Sequence, residues 1–356
     1  MLEVPAGFAD VTPALVTAAL QRRCPGAVVS GAEVGAVTDG TNRRASVRLT
    51  YARGDGPPAV FVKLSARRLN RLALVALGAL AAEARLAEAA VGLPIAHPRL
   101  HGGGLDRRRL ATVVVMDDVT TDGGRPNAAT APLSVGEVGD GLGELARLHG
   151  AFAGRPLPPA LAFLRPWRLG AAWAALSAAS LWRGLQKMDR LGVRLPVLGR
   201  GGPVALERQF RRSAHLAATG LQTVLHGDPH PGNTYGYGAG RTGFYDWQLV
   251  RLGHPLHDVG YFVVSSLAVE DRRAHEQSLL DRYLDELRRR WPEAPSGAEA
   301  TARYRAAPAF GLASWLHTLA AGTFQPSALC AATLERFAAA FDDLDTSRSP
   351  ALAAMA

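Results

Sequence analysis

The stretch LHGDPHPGN (Leu225–Asn233) sets two histidines, an aspartate, an asparagine, two glycines and two prolines directly behind the short run Thr223-Val224-Leu225. Two prolines remove two backbone donors, and the glycines add freedom that helices and strands lose, so regular structure is a poor reading. The segment reads as a shaped loop at the end of a strand. Such a loop, turning sharply while presenting carboxylate, imidazole and carboxamide groups, suits a site mounted on a scaffold. A solvated turn between strands is the alternative from this segment alone.

Upstream, three strands are expected: EVGAV (33–37), ASVRLTY (45–51) and AVFVKL (59–64), separated by TDGTNRR and RGDGPP. Period-two alternation and the Gly/Pro punctuation make this an antiparallel meander. An Ala/Leu-rich stretch from Leu69 to Val91 predicts one long helix carrying Glu83, ended by Gly92 and Pro94. LATVVVMDDV (110–119) predicts a buried strand running into a polar Gly/Pro loop, and the composition change places a lobe boundary near Val119. Ser134 followed by Glu137 predicts a capping box opening a helix. Residues 157–221 read as helical and loop-rich, TYGYGAGRTGFYDW (234–247) as a hairpin, and about Gly260 to Leu344 as helices.

The chain of 356 residues is 48% hydrophobic and 20% charged, a globular composition long enough for two lobes. Two far-separated cysteines, Cys24 and Cys330, form no disulfide framework. No basic segment followed by an apolar one opens the sequence, and no run of apolar residues is long enough to span a bilayer, so a cytoplasmic protein without a membrane partner is expected. The net charge of +9 is concentrated between Ala151 and Leu221, where eleven basic residues face only Asp189 and Glu207. No aromatic interleaving or zinc-finger spacing accompanies them, so no nucleic-acid partner is expected. Of 40 basic residues only Lys63 and Lys187 are lysines. In an arginine-biased chain a retained lysine invites a chemical reason, because a compact ammonium and a planar guanidinium fit different sites. For Lys63, in AVFVKLS, the plainer reading is an edge-strand residue.

Lys63 on the third strand, Glu83 on the following helix, His226-Gly227-Asp228 with Asn233, and Asp246 in DWQ together resemble the kinase-like phosphotransferases of small molecules: aminoglycoside phosphotransferases, choline kinases and ecdysteroid-kinase-like proteins. Asp228 and Asn233 keep the spacing of the kinase catalytic loop. LGHPLHDVGYF (252–262) also looks like the family's segment after the metal aspartate. The resemblance spans roughly Glu33 to Leu344. It implies an α+β, two-lobed protein-kinase-like fold, with a small antiparallel-sheet N-lobe (1–119) that binds nucleotide and a larger, mainly helical C-lobe (120–356) that holds the catalytic loop and acceptor site.

By the same resemblance Asp228 is the catalytic base, Asn233 and Asp246 are ligands of Mg2+, and Lys63 holds the α- and β-phosphates of ATP, positioned by Glu83 with Glu88 as the rival. GTP remains an alternative donor. His226 and Asp258 brace the loop, and His230 has no assigned role. The first-strand loop VTDGTNRRAS lacks the kinase glycine pattern, so Thr41, Asn42 and Ser46 are expected to cover the phosphates, and the backbone between Val115, Asp117 and Val119 to meet the base. The implied partner is a small-molecule hydroxyl acceptor, on a monomer or homodimer. Two other readings stay open: a metal-dependent hydrolase built on His226, Asp228 and His230 with His254, His257 and Asp258 nearby, and a catalytically silent nucleotide-binding module. The arginine-rich stretch implies a neutral or anionic acceptor, and Trp167, Trp173 and Trp182 are candidate walls for it or helix-packing core.

Overall fold

In the computed structural model, described for residues 1–65, 68–89, 92–167, 171–192 and 201–355, the chain forms two compact units. The side chains of 69, 76 and 171–175 lie outside the description, and with them that of Trp173. The first unit comprises Met1–Pro126, Leu157–Phe163 and Phe244–Val250; the second holds the remainder. The first unit thus runs past Val119 to Pro126 and takes in two later segments, because the strand pattern alone does not show which downstream pieces return to a sheet.

The first unit is built on five antiparallel strands in the order β1 (Val28–Val34), β2 (Asn42–Arg53), β3 (Ala59–Ser65), β5 (Ala111–Asp117) and β4 (Leu100–Asp106). Strand alternation sorts the two faces. Ala45, Val47 and Leu49, then Val60, Val62 and Leu64, then Val113 and Val115 turn to one side, where α1 (Pro13–Leu20) closes a core with Val16 and Leu20. Arg44, Lys63 and Val114, paired across the three central strands, share the opposite face. Lys63 therefore sits on the middle strand of the sheet, not on an edge. A two-residue strand, β6 (Arg125–Pro126), closes the main segment of this unit.

Three sequence expectations change. The first strand lies upstream of EVGAV and ends at Val34. The single helix expected from Leu69 is two, α2 (Arg68–Ala76) and α3 (Ala82–Ala89), parted where Gly78 takes a left-handed φ of +68°. Its expected end at Val91 lies outside the described residues. Strand β4 was not anticipated because its Gly102-Gly103-Gly104 core depresses strand propensity. Those glycines admit close neighbours: a Cβ on Gly103 would strike the carbonyl of Ala84 in α3, and one on Gly104 the carbonyl of Leu2.

The second unit is mainly helical. It contains α4 (Val135–Phe152), opened by the expected Ser134/Glu137 capping box, then α5 (Ala171–Arg190) and α6 (Gly202–Ala217). Strand β7 (Thr223–Leu225) delivers the loop of interest, followed by the hairpin β8 (Thr234–Tyr237) and β9 (Arg241–Phe244), turned by Gly238 and Gly240 at positive φ. β10 (Arg251–Gly253) pairs antiparallel with β7. Helix α7 (Leu256–Ser266) is buried along its whole length, and α8 (Val269–Arg288), α9 (Gly297–Ala321), α10 (Ser327–Asp343) and α11 (Pro350–Ala353) complete the unit. Lys187, the second lysine, donates from Nζ to Leu319 O and Ala320 O at 2.9 Å each, where a point charge suits the end of α9. No helix among the described residues is long and apolar enough to cross a membrane.

Gly103→Val should lower the stability of the protein by ~1–3 kcal/mol, the range for overpacking a closed contact. Urea unfolding measures it; an unchanged midpoint would show that α3 yields freely.

Candidate active site

The residues singled out by the sequence fall into two groups, one in each unit. In the first, β3 aims Lys63 away from the core and α3 presents Glu83 to it: Nζ lies 2.6 Å from Glu83 Oε2 and 2.8 Å from Asp246 Oδ1. Lys63 is 6% exposed. Burial by itself disfavours its ammonium, but the Asp246 and Glu83 carboxylates outweigh that and raise its pKa. The other Glu83 oxygen accepts the Trp247 amide at 3.1 Å, which ties down the turn holding Asp246. Asp246 adopts φ 66°, ψ 68°, a left-handed conformation rare for a residue with a side chain and typical of places where function holds strain. Glu88 pairs instead with the Met1 amine and Arg22.

Asn42 and Ser46 share Lys63's face of the sheet, with Arg44 between them directly opposite the lysine. Asn42 Nδ2 donates to Gln248 Oε1 at 3.2 Å. Thr41 sits in the bend just before β2. Val115 is paired between β3 and β4 and its side chain belongs to the core on the far face. The Asp117 amide donates to Arg99 O. Its carboxylate receives His101 Nε2 at 2.7 Å, and although burial would raise its pKa, His101 and the Arg99 amide hold it low. Val119 opens a short 3-10 turn to Asp122.

In the second unit, the loop after β7 hangs on Asp258 of α7, whose Oδ2 accepts His226 N at 2.7 Å and Oδ1 accepts Gly227 N at 3.0 Å. Gly227 has φ +87°, which a side chain would resist. His149 of α4, which the motif reading passed over, reaches Asp258 Oδ2 through Nε2 at 3.3 Å and the Tyr283 hydroxyl through Nδ1 at 2.7 Å. Burial would raise the Asp258 carboxyl, but these bonds and the surrounding histidines hold it below its ordinary pKa. The Asp228 amide donates to His226 Nδ1 at 3.3 Å. Asn233 Nδ2 donates to the Asp228 carbonyl at 2.9 Å and its Oδ2 at 3.2 Å, which leaves the carboxamide oxygen as the acceptor end. Tyr261, also unanticipated, is held well above its usual pKa by burial and by the Asp228 carboxylate that accepts its hydroxyl.

His230 is buried against Trp315, rings 5.3 Å apart; its Nδ1 accepts Gly232 N at 3.1 Å and its Nε2 lies 3.8 Å from Asp228 Oδ2. The histidines are thus committed to the backbone: His226, His230 and His254 each accept an amide at Nδ1. Among the described residues no group of three or more His, Cys, Asp or Glu is arranged to hold a metal ion. The hydrolase cluster suggested by sequence proximity is therefore not assembled.

A family model described as a phosphotransferase enzyme family matches residues 41–295. The chain belongs to the phosphotransferase enzyme family. A search of curated proteins found no match to this phosphotransferase. Among solved structures, an amicoumacin kinase in complex with AMP-PNP, Ca2+ and Ami is 15% identical over 89% of each chain with a TM-score of 0.52, a likeness of fold. An aminoglycoside-3'-phosphotransferase of type VIII is 26% identical over 82% of the phosphotransferase and 96% of its own length, TM-score 0.46. A choline/ethanolamine kinase family protein from Mesorhizobium loti is 16% identical over 92% of both chains, TM-score 0.45. The phosphotransferase has the kinase-like α+β fold: an antiparallel-sheet unit and a helical unit.

Lys63→Arg should lower kcat/KM by on the order of a hundredfold, because a forked guanidinium displaces one of the two carboxylates that an ammonium accommodates. Steady-state kinetics at saturating and limiting nucleotide checks this; wild-type values would show the pocket tolerates the fork. Burial pushes His257 down to about 3 and His254 down to about 2, each aided by a neighbouring arginine. Both are neutral when folded and protonate near 6.5 when unfolded, so the stability they contribute is complete above that pH and declines as pH falls below it. The expected decline is up to ~1.4 kcal/mol per pH unit for each histidine. Urea midpoints equal at pH 7 and pH 5 would contradict it.

Proposed function

We propose that the enzyme transfers the γ-phosphate of ATP to a hydroxyl of a small neutral or anionic molecule, such as a nucleoside, glycoside or antibiotic. The observation that carries this reading is Asp228, presented on a loop whose two preceding amides are gripped by one buried carboxylate, with Asn233 bonded to it. Phosphoryl transfer asks the protein chiefly to position an alcohol and to neutralise charge on phosphate oxygens. Asp228 orients the acceptor hydroxyl and takes its proton. Lys63 supplies a fixed positive charge for the α- and β-phosphates, kept protonated by its carboxylate partners. The oxygen donors suit a hard divalent cation: the Asn233 carboxamide oxygen in the second unit and the Asp246 carboxylate in the first are each proposed as a ligand of Mg2+. When bound, that ion offsets negative charge on the phosphates. The amicoumacin kinase that shares the fold is in complex with AMP-PNP and Ca2+, which supports the same pairing here.

The proposed charge of the acceptor is supported by which acidic groups are already engaged. In the arginine-rich segment Glu207 is buried and bonded to Arg211, leaving Asp189 as its exposed carboxylate among the described residues. In α8, Glu270 and Asp285 are paired with Arg273 and Arg288, which leaves the exposed Asp271 and the exposed Asp281, an acceptor from Gln277, as its counterweight. A polycationic acceptor would meet unfavourable like charge and few partners, lowering both affinity and on-rate.

Asp228→Asn should lower kcat by on the order of a hundredfold or more while nucleotide binding persists, the range for a general base. Labelled ATP offered with a panel of polycationic aminoglycosides, neutral nucleosides and glycosides, at two salt concentrations, tests the acceptor. Efficient, salt-weakened turnover of the polycations would overturn the charge argument, and full activity of Asp228→Asn would remove the base.

A further inference from the structure

The loop His226-Gly227-Asp228 has glycine where protein kinases place an arginine, yet a guanidinium stands beside it. Arg251, on β10 and in register with Leu225 of β7, donates from Nη2 to the Gly227 carbonyl at 2.7 Å and lies 3.2 Å from His257 Nε2. Its charged end lies over two rings, 4.9 Å from the centre of Trp167 and 5.7 Å from that of Phe310. Aromatic faces hold a guanidinium flat and in one place. His257, neutral because burial and Arg251 itself push it down to about 3, is the acceptor that completes the seat.

The position of that bond gives it leverage. The Gly227 carbonyl and the Asp228 amide are the two ends of one planar peptide. Arg251 holds the carbonyl end, and His226 Nδ1 accepts from the amide end at 3.3 Å. Gly227, at φ +87°, is the residue least able to resist rotation of that plane. Turning the plane would swing the Asp228 Cα and re-aim its carboxylate. Asp258 cannot prevent this, because it grips the peptide groups one step earlier, at His226 N and Gly227 N.

We infer that Arg251 is a positioning residue for phosphoryl transfer, orienting Asp228 through the Gly227 carbonyl while Trp167, Phe310 and His257 fix its guanidinium. The inference rests on the reading of Asp228 as the group that takes the acceptor proton. It gives a role to Trp167 as the platform for the cation, beyond packing.

Arg251→Ala should reduce kcat by about tenfold or more, because small misplacements of a reacting group are expensive, and should leave the nucleotide KM within about twofold. Millimolar guanidinium chloride, compared with the same concentration of tetramethylammonium chloride, should restore part of the lost kcat by filling the vacated seat over the rings. Arg251→Gln should also lower kcat but gain nothing from guanidinium, since its side chain occupies the space. Wild-type kcat in either variant overturns the inference, as does a folded Arg251→Ala enzyme that guanidinium fails to revive. Loss of folding in both variants would make Arg251 a packing residue and overturn it equally. Asp228→Asn, measured alongside, separates the two levels: if that variant is fully active the reading of Asp228 fails, whereas an inactive Asp228→Asn beside active Arg251 variants sinks only the positioning role.

Discussion

One buried ammonium organises the first unit. Lys63 lies in a sheet interior where an unpaired charge would be prohibitively unfavourable, so its stability depends on Glu83 and Asp246 closing on it. Each requirement of that closure is visible elsewhere. Helix α3 must lie close enough for Glu83 to reach, and Gly103 removes the side chain that would hold it off. The segment after β9 must return to the sheet and turn through a left-handed residue, and the Trp247 amide on Glu83 secures that turn. Three distant parts of the chain are thus linked by one cation, and its two carboxylate partners favour its charged state.

The second unit solves a different problem with the same economy of groups. Asp258 is wholly buried and ionised, and it survives there because two backbone amides and His149 satisfy it. Those bonds convert a glycine- and proline-bearing loop, which would otherwise be loose, into a fixed mount for Asp228. Helix α7, buried on every side, is the rigid element that carries Asp258, His257 and Tyr261 to the loop together. The site's precision therefore derives from the helix behind the loop and not from the loop's own residues.

Much of this was legible in the sequence because the informative features are local. The capping box at Ser134, the hairpin glycines, strand alternation around Lys63 and the Asp228 to Asn233 spacing all act within a few residues, where propensity and pattern decide the outcome. Strand β4 escaped because its glycines carry no side-chain pattern. The pattern from Leu69 is that of a continuous helix because Gly78 inside a helical pattern is tolerated in principle, and only the actual chain path shows that it breaks there. Which face each residue of β5 takes is likewise hidden, because it depends on register with neighbouring strands and an all-apolar run gives no phase.

The chain's sequence by itself determined the class of architecture, the loop that presents Asp228 and the identity of the lysine, since each follows from residue type and spacing along the backbone. Tertiary structure alone decided the partners: Glu83 rather than Glu88 beside Lys63, His149 and Tyr283 behind Asp258, Tyr261 on Asp228, and Arg251 on the carbonyl of Gly227. The physical reason is range. Backbone preferences are settled by neighbours within a turn or a strand pair, whereas the partners of a buried charge are chosen by whichever distant groups packing brings within hydrogen-bond reach, and a linear pattern carries no record of that distance.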